Sequence, residues 1–187
     1  MTSIRRPLKN IIIEAWRGSI ERDYLTQRIN SERSLQASFW SHLNALLPET
    51  RRIFIEPSIK IKVGRRVRQI YPDIVICNTR QVISIIELKY LPRVKPSYKK
   101  DIENLALISE NRNQITLAHS RFSGVRKGRK EYSLSKTILF VWAGIHARSR
   151  EEILRLYSEP YESLAGSFIQ LHAETRRSGM PEIYVLE

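Results

Sequence analysis

The stretch YPDIVICNTRQVISIIELKY, residues 71–90, contains two runs rich in Ile and Val that flank a short polar turn. Apolar runs of this length on either side of a turn predict two β-strands that form a hairpin. Asp73 interrupts the first run, and Glu87 and Lys89 interrupt the end of the second. Strands usually avoid these three residue types, so the hairpin indicates a functional site as well as a structural element.

The acid and the amine of the second strand are expected to lie on the same face of that strand. Side chains on a strand alternate between faces, so Glu87 and Lys89 are expected to share a face, together with Ile83 and Ile85. An acid and an amine would then project side by side from one end of the hairpin.

The register of the hairpin depends on how its turn closes. If Cys77 pairs with Gln81 or with the next residue, Asp73 lies opposite Ile85 or Ile86. Asp73 and Glu87 are then within one or two residues of direct opposition. Diagonal neighbours in a sheet are about 7–8 Å apart, so one divalent cation could contact both carboxylates.

Two carboxylates this close repel each other unless an opposite charge compensates them. Mg²⁺ binds oxygen ligands, typically one or two carboxylates together with substrate phosphate and water. Lys89 would stand beside the ion, where it could orient the attacking water or neutralise charge on the phosphate. These groups are the parts needed for metal-assisted hydrolysis of a phosphodiester. A surface patch at the hairpin end is the alternative.

The rest of the chain predicts an α/β protein with a mixed sheet between helices. Its length suits a single domain over residues 1–187, in which residues 1–30 form a helical N-terminal extension. The first half of the chain predicts a helix over Pro7–Asn30, a helix from about Ser31 to Pro48, a strand over 51–63 bent at Pro57, and strands over about 66–77 and 82–90. The second half predicts a helix after Pro96, a long loop or irregular hairpin over 114–136 and a buried strand over Thr137–Ile145. A helix over Ser149–Arg177, broken at Pro160, and a final strand EIYVLE complete the prediction.

The motif PD at residues 72–73 and the motif ELK at residues 87–89 occur in this element order, with fourteen residues from Asp73 to Glu87. The combination resembles the signature of the PD-(D/E)xK nuclease superfamily, the restriction-endonuclease-like enzymes. Their core runs helix, three strands, helix, strand (αβββαβ), with Asp on the second strand and ExK on the third. The chain reproduces that order over about residues 31–145, and a C-terminal helix and strand follow.

The resemblance implies a Mg²⁺-dependent deoxyribonuclease, in which Mn²⁺ substitutes for Mg²⁺. Asp73 and Glu87 would bind the ion, the main-chain carbonyl of Leu88 would complete its ligands, and Lys89 would position or activate water. Glu32, on the first core helix, would assist directly or through water. Alternatively, Glu32 is a first-turn acid that the helix dipole favours.

Three further residues are weaker candidates for the same site. Gln36 lies one turn after Glu32 on the predicted helix, and Tyr98 and Asp101 lie at the start of the helix that follows the hairpin. In some members of the superfamily such positions support the site, although residues at a helix start usually have no further role.

The charge balance indicates a polyanionic partner. Lys and Arg number 32 against 19 Asp and Glu, which gives a net charge of +13, and an excess of this size most often serves nucleic acid. Solvated loops without a target are the alternative. The candidate nucleic-acid-binding residues, in three basic runs, are Arg65, Arg66, Arg68, Lys95, Lys99, Lys100, Arg126, Lys127, Arg129 and Lys130.

The only cysteine, Cys77, excludes an intramolecular disulfide, and we expect a cytoplasmic protein. The first apolar run is too short for a signal peptide, and the longest one, Thr137–Ala147, is too short to span a membrane. We therefore expect DNA as the partner, with RNA as an alternative and a homodimer as an arrangement common among relatives.

Three functions follow from these observations. The first is hydrolysis of DNA, with endonuclease action as the expectation. The second is nucleic-acid binding without catalysis on the same fold, and metal-dependent cleavage separates it from the first. The third is an unrelated basic α/β protein, in which Asp73 and Glu87 point to separate patches.

Overall fold

The computed structural model describes residues 6–64, 66–95, 98–123, 126–147, 162–176 and 180–187. Within these ranges the chain forms three α-helices and nine β-strands, and none of the helices is long and apolar enough to cross a membrane. The helices are α1 (Leu8–Gly18), which a π-helical turn (Ser19–Tyr24) continues, α2 (Glu32–Leu46) and α3 (Lys99–Glu110). The strands are β1 (Arg52–Ile55), β2 (Ile59–Val63), β3 (Arg66–Ile70), β4 (Ile74–Cys77), β5 (Gln81–Leu91), β6 (Ile115–Ser123), β7 (Arg126–His146), β8 (Phe168–Glu174) and β9 (Glu182–Leu186).

The strands form one mixed sheet with helices on both faces, as predicted. Its order is β1-β4-β5-β7-β6-β2-β3, and β8 and β9 extend it beside β7. β5 and β8 run parallel to β7, and the other pairs are antiparallel. Apolar residues of α1 and α2 cover one face, and those of α3 cover the other. The predicted N-terminal extension therefore contributes to the core, where Trp16 is fully buried.

Strands β1 to β4 form one antiparallel ribbon with a bend. Counting on from the pair Ile59↔Ile70 places Pro57 opposite Pro72, and the pairing resumes at Ile55↔Ile74. Proline has no N–H to donate, so two facing prolines interrupt the ladder at this point. The predicted bend at Pro57 is confirmed, but the single strand predicted over 66–77 is wrong because it breaks before Ile74.

Helix α2 begins where the sequence predicted. The Ser31 hydroxyl accepts from the Ser34 N–H, and the Ser34 hydroxyl accepts from the Ser31 N–H, which forms a capping box. Glu32 is therefore in the first helical turn. The helix ends at Leu46, two residues before Pro48.

Residues 116–123 pair with residues 126–133 in a hairpin of constant register, so the predicted long loop is wrong; of the alternative, an irregular hairpin, the hairpin is confirmed and the irregularity is not. β6 pairs with β7 from Thr116↔Ser133 to Ser123↔Arg126. β7 then continues through the predicted buried strand to His146, between β5 and β8. The tip, residues 124–125, lies outside the described residues.

The helix predicted over residues 149–177 is wrong in its second half. Phe168–Glu174 is strand β8, parallel to β7, and β9 follows as predicted. Ile169, Leu171 and Ala173 face α1 and α2, whereas Gln170 and His172 are buried on the other face. A two-residue alternation with both faces buried suits a central strand. Residues 148–161, including Pro160, lie outside the described residues.

Candidate active site

A β-bulge sets the register of the β4–β5 hairpin. Cys77 pairs with Val82 next to the turn, but Ile76 pairs with Ser84, so Ile83 has no partner on β4. A bulge of this kind inserts one extra residue into one strand of the pair. From there the register runs to Ile74↔Ile86.

The bulge brings the two acids into direct opposition. One step beyond Ile74↔Ile86, Asp73 lies opposite Glu87, so the predicted partners of Asp73, Ile85 or Ile86, are wrong by at least one residue. The predicted proximity of Asp73 and Glu87 is confirmed, because the register places them opposite each other and the charge of Asp73 raises the pKa of Glu87. The bulge also moves Ile83 to the α1/α2 face, so the predicted grouping of Ile83 with Glu87 is wrong.

Asp73 lies in the bend of the ribbon, immediately before β4, and three elements hold it. Its Oδ2 accepts a hydrogen bond from the Leu88 N–H at 2.6 Å. Its main-chain carbonyl accepts from the Glu56 N–H at 3.1 Å and from Nε2 of Gln36, on α2, at 2.9 Å. The Gln36 contact places α2 against the site through the main chain of Asp73.

Burial and like charge act together on the two carboxyl groups. Glu87 is only 7% exposed, and burial, followed by the charges of Asp73 and Asp101, raises its pKa well above the ordinary 4.5. Burial also raises the pKa of Asp73 from 3.8 to about 6, although the Leu88 N–H opposes the shift. The charge of Lys89 lowers both pKa values but does not outweigh burial.

Lys89 projects from the same face as Glu87 and is held by acids on both sides. Its Nζ lies 3.2 Å from Oδ2 of Asp101, in the first turn of α3, and 3.9 Å from Oε2 of Glu32. Burial lowers the pKa of Lys89, but the charges of Asp101 and Glu32 outweigh burial and leave the pKa raised. Trp142 Nε1 also donates to Asp101 Oδ2 at 3.4 Å. Lys89 is therefore a fixed ammonium group.

Glu32 reaches the site without joining the carboxyl pair. Its Oε2 accepts from the Tyr90 N–H at 3.3 Å and lies beside Lys89. Its charge contributes to the raised pKa of Asp73. Among the described residues, no group of three or more His, Cys, Asp or Glu side chains is arranged to hold a metal ion. The side-chain ligands available for a cation are therefore those of Asp73 and Glu87.

Four of the predicted nucleic-acid-binding residues are exposed near α3. Arg66 and Arg68 lie on the edge strand β3, and Nη2 of Arg68 donates to Oδ1 of Asn104 on α3 at 3.1 Å. Lys99 and Lys100 are exposed at the start of α3, the helix end that also carries Asp101.

The other predicted basic residues lie before α3, outside the described residues, or at the far end of the β4–β5 hairpin. Lys95 is exposed just before α3, and Arg65 lies outside the described residues. The side chains of Arg126, Lys127 and Arg129 are likewise outside what the structure describes. Lys130 packs over the Tyr132 ring and lines a small cavity at the β4–β5 turn, the end of the hairpin away from Asp73.

Two features of this region were not predicted from the sequence: the contact of Trp142 with the candidate Asp101, and a cavity beyond the end of β5. Asp101 and Trp142 meet at Lys89 although they are 41 residues apart in the chain. A cavity of about 450 Å³ also lies on the other side of the end of β5, between Tyr24 and Tyr90. Long-range packing of α3, β7 and the turn after α1 creates both features.

No protein-family model matches the sequence, and no curated protein matches it. Among solved structures, NucC of P. aeruginosa ATCC27853 in its cAAA-bound form is similar, with a TM-score of 0.41 and 8% sequence identity. The similarity covers 97% of this chain and 85% of that one. At this TM-score it carries no inference about function.

Proposed function

We propose that the protein is a metal-dependent nuclease of the PD-(D/E)xK superfamily that hydrolyses DNA phosphodiester bonds. The observation that carries the proposal is the opposed pair of Asp73, which is half-buried, and Glu87, which is buried, with the fixed ammonium of Lys89 two residues further along β5. Endonuclease action is the form that we expect.

The carboxyl pair fits a hard divalent cation. Burial raises the pKa of both groups, and the charge of Asp73 raises that of Glu87 further. A cation with oxygen ligands would supply positive charge at the pair. In this proposal Asp73, Glu87 and the main-chain carbonyl of Leu88 hold Mg²⁺, and Mn²⁺ replaces it. Bound Mg²⁺ would polarise the phosphate and lower the pKa of a coordinated water molecule.

Lys89 acts on the phosphate and the attacking water. Its ammonium group projects from the face that carries Glu87, so it stabilises negative charge that develops on the phosphate and orients the water. Asp101 and Glu32 hold the ammonium group in place. Asp101 is in turn held by Trp142, which makes Asp101 a positioning residue. Glu32 assists from the first turn of α2.

The exposed basic residues bind the substrate backbone. Arg66, Arg68, Lys99 and Lys100 lie on or beside the elements that carry the site, and the chain has a net charge of +13. Each phosphate that such residues neutralise adds about 0.9 to the salt dependence of binding to duplex DNA. RNA remains the alternative substrate.

The test is cleavage of a panel of linear, circular, single-stranded and branched DNA, and of RNA, with Mg²⁺, with Mn²⁺ or with a chelator. Lys89→Ala is expected to lower the cleavage rate by about 100-fold or more, because it removes a charge directed at the reacting phosphate. Lys136→Ala, at an exposed lysine on β7, is the matched control. Equal activity of wild type and Lys89→Ala contradicts the mechanism.

One observation favours a second function, binding of nucleic acid without cleavage. Among the described residues, the carboxyl pair is not joined by a third His, Cys, Asp or Glu side chain in an arrangement that would hold a metal ion. This alternative predicts salt-dependent binding of the same DNA panel with no cleavage under any metal. Calorimetry with Mn²⁺ on wild type and Asp73→Ala then shows whether the carboxyl pair binds a cation at all.

A further inference from the structure

The cavity beyond β5 has the composition of a nucleobase site. It measures about 450 Å³ and is lined by tyrosine rings, side-chain amides and a guanidinium group. Small-molecule sites commonly have volumes of about 300–1,000 Å³, mostly apolar or aromatic walls and a few polar groups that orient the ligand. The lining residues that matter are Tyr24, Gln27, Asn30, Tyr90, Thr175 and Arg176.

Two tyrosine rings meet edge to face at the cavity. The rings of Tyr24 and Tyr90 lie 6.4 Å apart, at 75° to each other, so a planar ligand can stack on one ring while the other meets it edge-on. The Tyr90 hydroxyl donates to the main-chain carbonyl of Ile29 at 3.3 Å, which fixes its ring. Planar bases stack on such aromatic faces whatever their sequence.

The polar groups suit the edge of a base. Gln27 and Asn30 carry amides, the side-chain type that pairs with the donor and acceptor groups of bases. Gln27 has a φ of +60°, a conformation that non-glycine residues rarely adopt and that often marks a functional position. Arg176 is held by Glu174 and Glu182, so it is an oriented donor rather than a free cation.

Tyr90 links the cavity to the candidate active site along the chain. It follows Lys89 on β5 and projects to the opposite face of the sheet. The Tyr90 N–H donates to the Glu32 carboxylate that also lies 3.9 Å from Lys89 Nζ. The cavity and the candidate active site therefore lie on the two faces of the same end of β5.

We propose that this cavity binds one unpaired base of the substrate strand, next to the scissile phosphate. The inference rests on the proposed nuclease function and deepens it: the substrate must expose a base near the cut, as single strands, flaps and branch points do. Stacking on the Tyr24 ring, with the Tyr90 ring edge-on to the base, provides affinity, and the amides restrict how the base is oriented.

The test places 2-aminopurine at successive positions of a single-stranded oligonucleotide, with Ca²⁺ in place of Mg²⁺ to prevent cleavage. We expect the fluorescence of 2-aminopurine to be quenched at one position of the oligonucleotide. This quenching should be lost in Tyr24→Ala and retained in Tyr24→Phe, because phenylalanine keeps the ring. Affinity for the oligonucleotide is expected to fall about 10- to 100-fold in Tyr24→Ala, and an abasic nucleotide at the same position should remove this difference.

Gln27→Gly guards against misfolding, because glycine accepts the left-handed φ while the amide is lost. We expect weaker quenching in this variant with unchanged or higher thermal stability. Unchanged quenching in Tyr24→Ala overturns the inference. Displacement of the probe by free AMP at equal concentration also overturns it, in favour of a free-nucleotide site. Intact position-specific quenching without cleavage in Mg²⁺ contradicts the nuclease proposal instead.

Discussion

Two clusters of polar groups, one partly buried and one fully buried, lie side by side on the α3 face of the sheet. The first is the acid cluster, Asp73 and Glu87 with Lys89, and the second is the pair His146 and His172. Lys89 is in register with Gly144, and Gly144 is in register with His172. The Trp142 ring covers Gly144, where a Cβ atom would lie 2.3 Å from the ring. One indole ring therefore separates the two clusters.

The histidine pair is closed and self-contained. Both imidazoles are fully buried, and Nε2 of His146 lies 2.9 Å from Nδ1 of His172 in a hydrogen bond. His172 also hydrogen-bonds with Gln170 and stacks on the Tyr184 ring. Burial and then the charge of His146 lower the pKa of His172 to about 2, so it is neutral at neutral pH.

The acid cluster differs from the histidine pair in access and in charge. The side chains of Lys89 and Glu32 are 22% and 45% exposed, so solvent and ligands reach this end of β5. Its carboxyl groups face each other, and burial raises both pKa values more than the neighbouring Lys89 lowers them. Burial alone thus does not distinguish a functional cluster from a structural one, whereas like charges that face each other at an open edge do.

The largest effect should come from Asp73→Asn. We expect at least a 1,000-fold loss of cleavage and loss of the Mn²⁺ binding heat, because a neutral amide is a poor ligand for a hard cation. The amide oxygen still accepts from the Leu88 N–H, so the metal-free protein should gain roughly 1–3 kcal/mol of unfolding free energy at pH 7.5. Chemical denaturation with chelator measures the gain.

Asp23→Asn is the matched control, because Asp23 accepts hydrogen bonds and its pKa is lowered, mainly by Ser38. This substitution should lower stability by about 1 kcal/mol and leave cleavage unchanged. A loss of stability in Asp73→Asn similar to that of the control would contradict the view that the acid cluster is under electrostatic strain.

His172→Phe should lower stability and leave cleavage unchanged, which is the opposite of the effects expected for Asp73→Asn. It keeps a ring against Tyr184 but removes the hydrogen bonds to His146 and Gln170, so we expect a loss of about 1–3 kcal/mol. Cleavage per folded molecule should not change, and a fall of 10-fold or more would show that the two clusters are coupled.

The pH dependence of stability should separate the same two variants. The folded pKa of His172, about 2, is below the ordinary 6.5, so the unfolded chain binds the extra proton and stability falls as the pH drops below 6.5. Protonation of Asp73 changes stability in the opposite direction. Its folded pKa of about 6 exceeds 3.8, so the folded chain gains stability as the pH falls from about 6 to 3.8.

Relative to wild type, His172→Phe should therefore lose stability less steeply between pH 6.5 and 4.5, by up to about 1.4 kcal/mol per pH unit. Asp73→Asn should lose it more steeply. Denaturant midpoints measured at several pH values test both slopes, and parallel curves for the two variants would contradict the assigned pKa directions.

The smallest effect should come from Arg68→Ala, on the exposed edge strand. We expect DNA affinity to fall a few-fold and the salt slope to decrease by about 0.9. Arg17→Ala, on the exposed side of α1 across the sheet from α3, controls for net charge. Identical salt slopes for the two variants would remove β3 from the DNA surface.

Much of the fold and of the candidate site follows from local pattern. Alternation along β5 places Glu87 and Lys89 on one face, and the Ser31 cap places Glu32 in the first turn of α2. The pair of facing prolines is visible in the sequence as Pro57 and Pro72, although their opposition is not. In contrast, the segment FIQLHAE was assigned to a helix, because its short apolar pattern suits either element until β7 offers it a parallel partner.

What the sequence determined by itself is the set of groups: two acids and an amine within Ile-rich strands, in a strongly basic chain. Only the tertiary structure decided how they meet. The bulge at Ile83 turns a diagonal relation between Asp73 and Glu87 into direct opposition, and the packing of α3 brings Asp101 to Lys89. The difference lies in the sequence separation of the residues that interact. Strand alternation and helix capping depend on neighbouring residues, whereas register, burial and pKa depend on contacts between distant parts of the chain.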